Sequence, residues 1–592
     1  MTGPPASVTE SSPLRQAGRG IGRAAALIGG ITVVARVVGF GRQLVFAHTV
    51  GSHCLGTAYA TANQVPNIIY DIVLGGALTS AIVPVLAGAA ARRSAYRPVA
   101  KRPAGDGPTG EAPTGPGLAG NGTSPAGNAA SPAGNGTGPS VTAGADAEAA
   151  QIASALLTWA VVLLAPASLI IALTARPIAS LLLAGVPRCS QATAVDVSSR
   201  MLAIFAPQIL LYGLAVVLYG ILQAHRRFTA PALAPIVSSL VVIGAYLAFV
   251  PLAAGNRSLI GLPRPAELAL SVGTTAGVAA LMLTALGPAL RLRLRLRPTL
   301  RFPDGVARRA RALAAVGVAA FIAQDAALVA VIVLANGHQG GGAVVLYNYG
   351  WQMFFVPYAV LAVPIATSVF PLLSAADGEE FDRTAASATR AAMLVSWLGA
   401  ALLAGAAWPA ARLFVTHPQQ VHQLALTFVA FAPGLVGFGL AAALSRVLFA
   451  SGRSRVAAVS LVGGWLVVIA VDVAAVPLVA SRWVVPVLGL GNTIGLTCAG
   501  IALLAAVRAS RGTAALRGSA RAAAAGLAGA LAGGAVGALV SARLHVSGFV
   551  PNAAVTLLAC ACAAAVFGAA ALLLDGGDLR ALAARTTGRW SR

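Results

Sequence analysis

The segment that decides the fold is ARVVGFGRQ, residues 35–43, which carries two arginines, Arg36 and Arg42, inside an otherwise apolar stretch. Residues 24–34 before it and 44–47 after it are largely apolar, which predicts a first membrane-spanning helix centred on the segment. One charged side chain at bilayer depth costs at least ~2.5–3.5 kcal/mol on insertion scales. Two such residues on one helix therefore predict a function for the pair.

The composition around this segment is that of a polytopic membrane protein. Of 592 residues, 57% are hydrophobic and only 10% are charged, whereas soluble domains carry about 25% charged residues. The net charge is +24, but the basic residues form short clusters between apolar runs rather than one patch with interleaved aromatic residues. This pattern argues against a nucleic-acid-binding protein and is typical of basic residues that orient a membrane protein.

Apolar segments long enough to span a bilayer recur about fourteen times along the chain. The predicted spans are 24–48, 62–91, 150–174, 200–224, 232–254, 266–288, 312–335, 343–373, 390–411, 424–450, 456–480, 483–507, 522–542 and 552–574. Thirty of the 41 basic residues then fall on the side of the two termini, eight on the other side, and three (Arg36, Arg42 and Arg446) within spans. The positive-inside rule predicts that both termini are cytoplasmic.

The domain organisation follows from these spans. Residues 92–149 are rich in Gly, Pro, Ala, Asn, Ser and Thr and lack large apolar side chains, which predicts a disordered cytoplasmic loop. The predicted organisation is a cytoplasmic tail (1–23), spans one and two (24–91), this loop (92–149), spans three to six (150–288), an arginine-rich cytoplasmic loop (289–311), spans seven to twelve (312–507), spans thirteen and fourteen (522–574) and a cytoplasmic tail (575–592).

No enzymatic or metal-binding motif is found in the sequence. There is no phosphate-binding loop, no H-E-x-x-H and no soluble domain that could hold an active site, so we expect neither an enzyme nor a bound cofactor or metal. A transporter of this kind would use an ion gradient or the membrane potential, with the coupling ion undetermined. The five cysteines show no metal-ligand spacing, but Cys54 and Cys189 fall in predicted outside loops, which allows a disulfide between them.

The polar residues at membrane depth are the candidates for function. On a straight helix Arg36 and Arg42 lie ~9 Å apart and roughly 120° around the axis from each other. Gly39 and Gly41 could loosen the helix and let both guanidinium groups turn towards one cavity. Arginine suits bidentate binding of phosphate or carboxylate, so we favour an anionic substrate over the alternative of an internal ion pair.

Other polar residues occur in only a few of the spans, which predicts one polar cavity between two halves of the protein. Candidate substrate-binding residues beside the arginines are Asn63, Gln64 and Gln352. Asp71 and Asp325 are candidates for ion coupling or for an ion pair, Asp71 with Arg36 or Arg42. Asp472, within the eleventh predicted span, is left without an explanation.

Several motifs resemble the MurJ/MviN family of lipid II flippases in its actinobacterial form. They are ARVVGFGR (35–42), ANQVPN (62–67), GGALTSAIVP (75–84), LQAHRRF (222–228), VPIATSVFP (363–371) and RVLFASG (446–452). The resemblance implies the multidrug/oligosaccharidyl-lipid/polysaccharide exporter fold, with two six-helix lobes and two further C-terminal helices. It also implies that Arg36 and Arg42 face a central cavity and bind the diphosphate of the substrate.

By this resemblance the chain moves lipid II, the lipid-linked peptidoglycan precursor, from the inner to the outer leaflet of the bacterial cytoplasmic membrane by alternating access. It would serve cell wall biogenesis and cell shape, with lipid II and membrane lipids as partners and cell-wall synthesis proteins as further candidates. The chain departs from the family at three charged places, where it has Thr57, Tyr70-Asp71 and Gly350-Trp351-Gln352. Two alternatives therefore stay open: a multidrug antiporter of the same fold, and a divergent, non-transporting paralogue that acts as a cell-wall scaffold.

Overall fold

The computed structural model describes residues 13–72 and 139–587, apart from residues 188, 226, 293–295 and 303–305. Side chains are described for residues 30–72 and 150–574, with residues 188, 226, 293–295 and 303–317 left out. Every regular element within these ranges is a helix, so the predicted all-α polytopic fold is confirmed.

The first eight helices within the described ranges form what we call the N-half. They are α1 (Pro13–Thr49), α2 (Cys54–Asp71), α3 (Pro139–Leu173), α4 (Ala175–Leu182), α5 (Gln191–Phe205), α6 (Pro207–Ala224), α7 (Thr229–Leu252) and α8 (Arg264–Leu290). Within this half α7 packs along α8, and α1 packs along α7. One side of α1 therefore contacts the rest of the N-half through α7.

The following nine described helices form the C-half, and two more described helices come after it. The C-half comprises α9 (Val306–His338), α10 (Ala343–Pro357), α11 (Val363–Ala375), α12 (Gly378–Gly405), α13 (Ala407–Phe414), α14 (Pro418–Phe431), α15 (Gly434–Ala450), α16 (Ser454–Ala475) and α17 (Val484–Arg511). The final pair, α18 (Ser519–Arg543) and α19 (Phe549–Thr587), pack on each other and against α12.

The described helices account for most of the predicted spans. Twelve helical stretches in the described ranges are long and apolar enough to cross a membrane, and the pair α14–α15, bent by 41°, would make a thirteenth. The remaining predicted span, 62–91, begins within α2 and continues past Ile72 into residues that the structure does not describe.

Helices extend into one predicted loop and two predicted tails, and the disorder predicted for residues 139–149 is wrong. The predicted disordered loop 92–149 lies outside the described residues up to 138, but α3 starts at Pro139. The predicted tail 1–23 contains the start of α1, and the predicted tail 575–592 contains the end of α19. Residues 139–149 include four alanines, and a helix extends cheaply into good helix-forming residues once its apolar part has nucleated it.

The two halves meet at one end of the bundle, which we call the disulfide face because the Cys54–Cys189 disulfide lies there. This bond, which the sequence allowed, joins the start of α2 to the loop between α4 and α5, so both cysteines belong to the N-half. A β-carbon added to Gly341, in the turn between α9 and α10, would lie 2.8 Å from the Cys189 Sγ atom. The C-half therefore rests directly on the disulfide.

The glycine turn, residues 340–342, makes this close approach achievable. Gly340 and Gly342 have φ values of +90° and +96°, which residues with a β-carbon rarely adopt. A β-carbon at Gly340 would lie 2.3 Å from the Pro187 carbonyl oxygen, and one at Gly342 would lie 2.4 Å from the Ser52 carbonyl oxygen. Only glycine lets the C-half backbone seat this closely against the N-half.

Hydrogen bonds between the halves surround the glycine turn. The Gly342 N–H donates to the Thr57 hydroxyl at 2.6 Å, and the Ser52 hydroxyl donates to the Gln420 Oε1 atom at 3.0 Å. The Asn336 amide donates across the same boundary to the Thr61 hydroxyl and to the Leu182 carbonyl. The halves are therefore closed against each other at the disulfide face.

Glycine-mediated helix packing within the C-half gives a stability prediction. A β-carbon at Gly437 on α15 would lie 2.3 Å from the Leu496 carbonyl oxygen on α17. The backbone of α17 at Leu496 could make room only if the whole helix shifted. We expect Gly437→Ala to lower the free energy of unfolding by about 1–3 kcal/mol, the usual cost of overpacking. Thermal unfolding of the purified protein in detergent measures it. Gly463→Ala on α16 is the control, because nothing lies within 4 Å of its added β-carbon; equal melting temperatures for both variants would contradict the prediction.

Candidate functional site

The two arginines of α1 lie on different sides of an unbroken helix. Arg36 reaches the C-half, where its guanidinium carbon lies 5.1 Å from the centre of the Phe355 ring. Phe40, one turn further along α1, also faces the C-half, since its ring centre lies 5.7 Å from that of Phe414. Arg36 therefore stands at the boundary between the halves, with its cationic group over an aromatic face.

Arg42 faces the N-half instead. Phe46, one turn beyond it, packs at 5.3 Å from the rings of both Tyr59 and Tyr246. Arg42 lies close enough to the hydroxyls of Tyr59, Tyr246 and Tyr212 to interact with them electrostatically. No carboxylate of the described residues lies within ion-pair distance of Arg42.

The glycines between the arginines do not loosen α1, as the sequence had suggested they could. The helix is continuous from Pro13 to Thr49, and the two arginines keep the separation around the axis that a straight helix gives them. A β-carbon at Gly39 or at Gly41 would meet nothing within 4 Å. The surface of α1 at these two glycines is therefore not packed against a neighbouring helix.

The candidate amides of α2 form part of a polar network that includes Tyr212, one of the tyrosines near Arg42. The Asn67 amide donates to the Gln64 Oε1 atom at 3.3 Å, and the Tyr212 hydroxyl donates to the Asn67 Oδ1 atom at 3.2 Å. The Asn63 Oδ1 atom is buried and has no hydrogen-bond partner in the part of the chain that the structure describes. A buried amide oxygen without a partner is costly, so Asn63 is a candidate ligand-binding group.

The predicted ion pair between Asp71 and an arginine of α1 does not form. Neither Arg36 nor Arg42 lies within 4 Å of the Asp71 carboxylate in the described ranges, because Arg36 points to the C-half and Arg42 to the tyrosines. Asp71 instead lies near enough to Asp325 of α9 for the two carboxylates to repel each other. Asp325 is 3% exposed, and neither of its carboxylate oxygens has a hydrogen-bond partner among the described residues.

Gln352 of α10 lies on the Arg36 side of the boundary. It stands one helical turn before Phe355, the ring that Arg36 covers. Its neighbour Trp351 points elsewhere and packs on Phe354 at 5.3 Å, within the aromatic core of the C-half. At the place where the resemblance leads one to expect an aspartate and an arginine, this chain therefore has one core aromatic residue and one neutral amide.

Asp472 of α16 is the polar residue that the sequence left unexplained. It is 0% exposed, and neither carboxylate oxygen has a hydrogen-bond partner within the described ranges. Gly491 of α17 makes room for it, since a β-carbon there would lie 1.9 Å from the Asp472 Oδ1 atom. The next residue, Asn492, donates to the Tyr347 hydroxyl at 2.9 Å. The Gly491-Asn492 pair in an otherwise apolar helix is the sequence signal that could have indicated this site.

Comparisons with known proteins agree with this arrangement. A solved structure titled "Lipid II flippase MurJ, inward closed conformation" matches with a TM-score of 0.65 and 15% identity, over 92% of this chain and 98% of that one. An inward-facing multidrug resistance MATE family transporter of the MOP superfamily matches with a TM-score of 0.58 and 13% identity, over 81% and 95% of the two chains. A MOP superfamily transporter from Pyrococcus furiosus matches with a TM-score of 0.52 and 14% identity, over 82% and 94%.

The structural matches show the fold, and a family model shows the family. The three solved structures place the chain in the architecture that the motifs of α1, α2 and α11 predicted. The model described as "Lipid II flippase MurJ" matches residues 141–558, well over half of the chain. The chain is therefore a multi-pass membrane protein that belongs to the MurJ lipid II flippase family.

Proposed function

We propose that the protein moves lipid II from the inner to the outer leaflet of the bacterial cytoplasmic membrane. The observation that carries the proposal is the pair of arginines on α1: Arg36 lies at the boundary between the halves over the Phe355 ring, Arg42 lies near the N-half tyrosines, and neither has a carboxylate partner among the described residues. Arginine binds phosphate bidentately, so two arginines without an anionic partner suit the diphosphate of a lipid-linked precursor better than a cationic drug.

The orientation of the chain is part of the proposal. Disulfides persist in oxidising compartments and are rare where thiols are kept reduced, which favours a disulfide face outside the cytoplasm. The distribution of basic residues independently predicts the same side for Cys54 and Cys189. Both termini are then cytoplasmic.

We propose alternating access as the mechanism. The halves touch at the disulfide face through the glycine turn and its hydrogen bonds, so the conformation described is closed towards the outside. Substrate would enter from the inner leaflet, be bound by Arg36 and Arg42 with Asn63, Gln64 and Gln352 as neutral contacts, and leave after the contacts at the disulfide face separate.

An ion gradient or the membrane potential would drive the cycle. Asp325 and Asp472 are buried carboxylates without hydrogen-bond partners in the described residues, and such groups in membrane proteins mark ion or proton pathways. We propose Asp325, with Asp71 across the boundary between the halves, and Asp472 as the groups through which coupling acts.

A leaflet-specific assay tests the proposed function. Depletion of the protein is expected to lower the amount of lipid II that is accessible at the outer surface of the cytoplasmic membrane while total lipid II rises. Re-expression of the wild-type chain should restore the accessible fraction, and expression of an unrelated membrane protein should not. Unchanged surface accessibility after full depletion would overturn the proposal.

A further inference from the structure

A cavity of about 320 Å³ lies between α13 and the end of α18, away from the arginines of α1. Its walls are two short helical faces, Trp408 and Arg412 from α13, and Ala538, Ser541, Ala542 and His545 from α18 and the residues just after it. Trp408 and Arg412 are four residues apart on α13, and Ser541, Ala542 and His545 follow Ala538 by three, four and seven residues. With these spacings, each set lies on one side of its helix.

The cavity lies next to a close contact between α12 and α18. A β-carbon at Gly537 of α18 would lie 2.9 Å from the Gly405 α-carbon at the end of α12, so the two backbones touch at this point. The Ser541 hydroxyl donates to the Gly405 carbonyl at 2.9 Å and fixes the next turn. The chain then bends from α12 into α13, which leaves space against the alanines of α18.

The cavity opens at the disulfide face. Phe549, at the start of α19, lies with its ring centre 5.9 Å from that of His48, next to the end of α1. The residues just before it, including His545, are exposed. A tryptophan, an arginine and a histidine around a mainly apolar cavity at the ends of membrane helices are the side chains found where lipid head groups meet protein.

The charge of Arg412 has no counter-ion in the described part of the chain. It is half-buried in the cavity wall, and no carboxylate of the described residues lies within ion-pair distance of it. Arginine binds phosphate bidentately, and a partly desolvated guanidinium without an anion is a ready site for one. The small side chains opposite leave room for the apolar part of a lipid.

We propose that this cavity binds the phosphate of an anionic lipid at the disulfide face, with Arg412 as the phosphate-binding group. Trp408 and the alanines of α18 hold the adjoining apolar chain, and His545 stands at the mouth. The site goes beyond the proposed flippase function because it lies outside the space between the two halves.

Native mass spectrometry of the full-length protein in detergent tests this site. One arm adds phosphatidylglycerol, a second adds a polyprenyl phosphate, and a third adds diacylglycerol, which has no phosphate. We expect one saturable site for a phosphate lipid. Arg412→Ala should weaken it about tenfold or more, the effect of losing one charge-assisted hydrogen bond. Tighter binding of phosphatidylglycerol would identify a bulk phospholipid as the ligand, and tighter binding of the polyprenyl phosphate would identify a carrier lipid.

Matched variants separate binding from folding. Arg543→Ala removes a charge from the same end of α18 but not from the cavity wall, so it should bind as the wild type does. Arg412→Lys should keep an intermediate affinity, and Arg412→Gln gives a second charge-free variant should the alanine variant unfold. Wild-type affinity in both charge-free variants, or equal binding of diacylglycerol, would overturn the proposal.

Discussion

Replacing Arg42 by alanine is expected to abolish flipping of lipid II in reconstituted vesicles, and replacing Arg36 is expected to do the same. Each side chain can supply two charge-assisted hydrogen bonds to a diphosphate, so the loss is roughly 3 kcal/mol, or about a hundredfold in transport rate at limiting substrate. The effect is large because the chain has Tyr70-Asp71 and Gln352 at places where the family resemblance leads one to expect further cations.

The side of α1 on which each arginine lies sharpens this expectation. Arg36 contacts Phe355 of the C-half and Arg42 lies near tyrosines of the N-half, so the two substitutions remove one cation from each side of the space. Lysine variants keep the charge but lose the bidentate geometry, and we expect intermediate rates. Arg482→Ala is the control, because this exposed arginine lies in a short turn before α17.

Two outcomes would contradict this interpretation. Wild-type flipping by both alanine variants, at equal amounts of inserted protein, would remove the arginines from the transport mechanism. Drug efflux that persists in Arg36→Ala but fails in Asp71→Ala would favour the antiporter alternative, since a cation-coupled antiporter needs the acid more than the base.

Locking the two halves together at the disulfide face is the second change with a large expected effect. Ser52 and Gln420 approach within 3.0 Å across the boundary, so cysteines at both positions should be joined by a short bis-methanethiosulfonate reagent. If the halves must separate here in every cycle, the cross-linked Ser52→Cys/Gln420→Cys protein should lose all flipping activity. A reductant that cleaves the cross-link should restore it.

Controls for this experiment come from the same two positions. Each single-cysteine variant, treated with the same reagent, should keep its activity because no bond joins the halves. The reductant must also be tested on the untreated wild type, since the Cys54–Cys189 bond lies close by. Full transport by the cross-linked double variant would show that the disulfide face does not open during the cycle.

The apolar pattern of the sequence predicted the membrane helices well, because a helix of about 20 apolar residues is set by local composition. It did not predict how far a helix continues beyond its apolar part: the candidate span is Ala150–Leu173, but α3 already starts at Pro139, in a polar segment that contains several alanines. The boundary between disordered loop and helix is decided by helix propagation, which apolar counting does not detect.

The candidate site was predicted in its residues but not in its contacts. The spacing of Arg36 and Arg42 gave their separation around the helix, yet only packing against Phe355 and the tyrosines shows which half each arginine serves. Asp71 forms no ion pair with Arg36 or Arg42 among the described residues, because Arg36 contacts Phe355 and Arg42 lies near the tyrosines. The surroundings of Asp472 could not be predicted from the sequence, because its carboxylate fits against Gly491, a residue of another helix.

The Cys54–Cys189 bond closes a covalent ring of chain that includes residues 92–138. A protease that cuts within that polar segment would therefore leave two fragments that migrate together in a non-reducing gel and separate only after reduction. The N-terminal fragment, with α1 and both of its arginines, would stay tethered to the body of the protein. The peptide bonds of that segment are thus dispensable for keeping the first two helices in place.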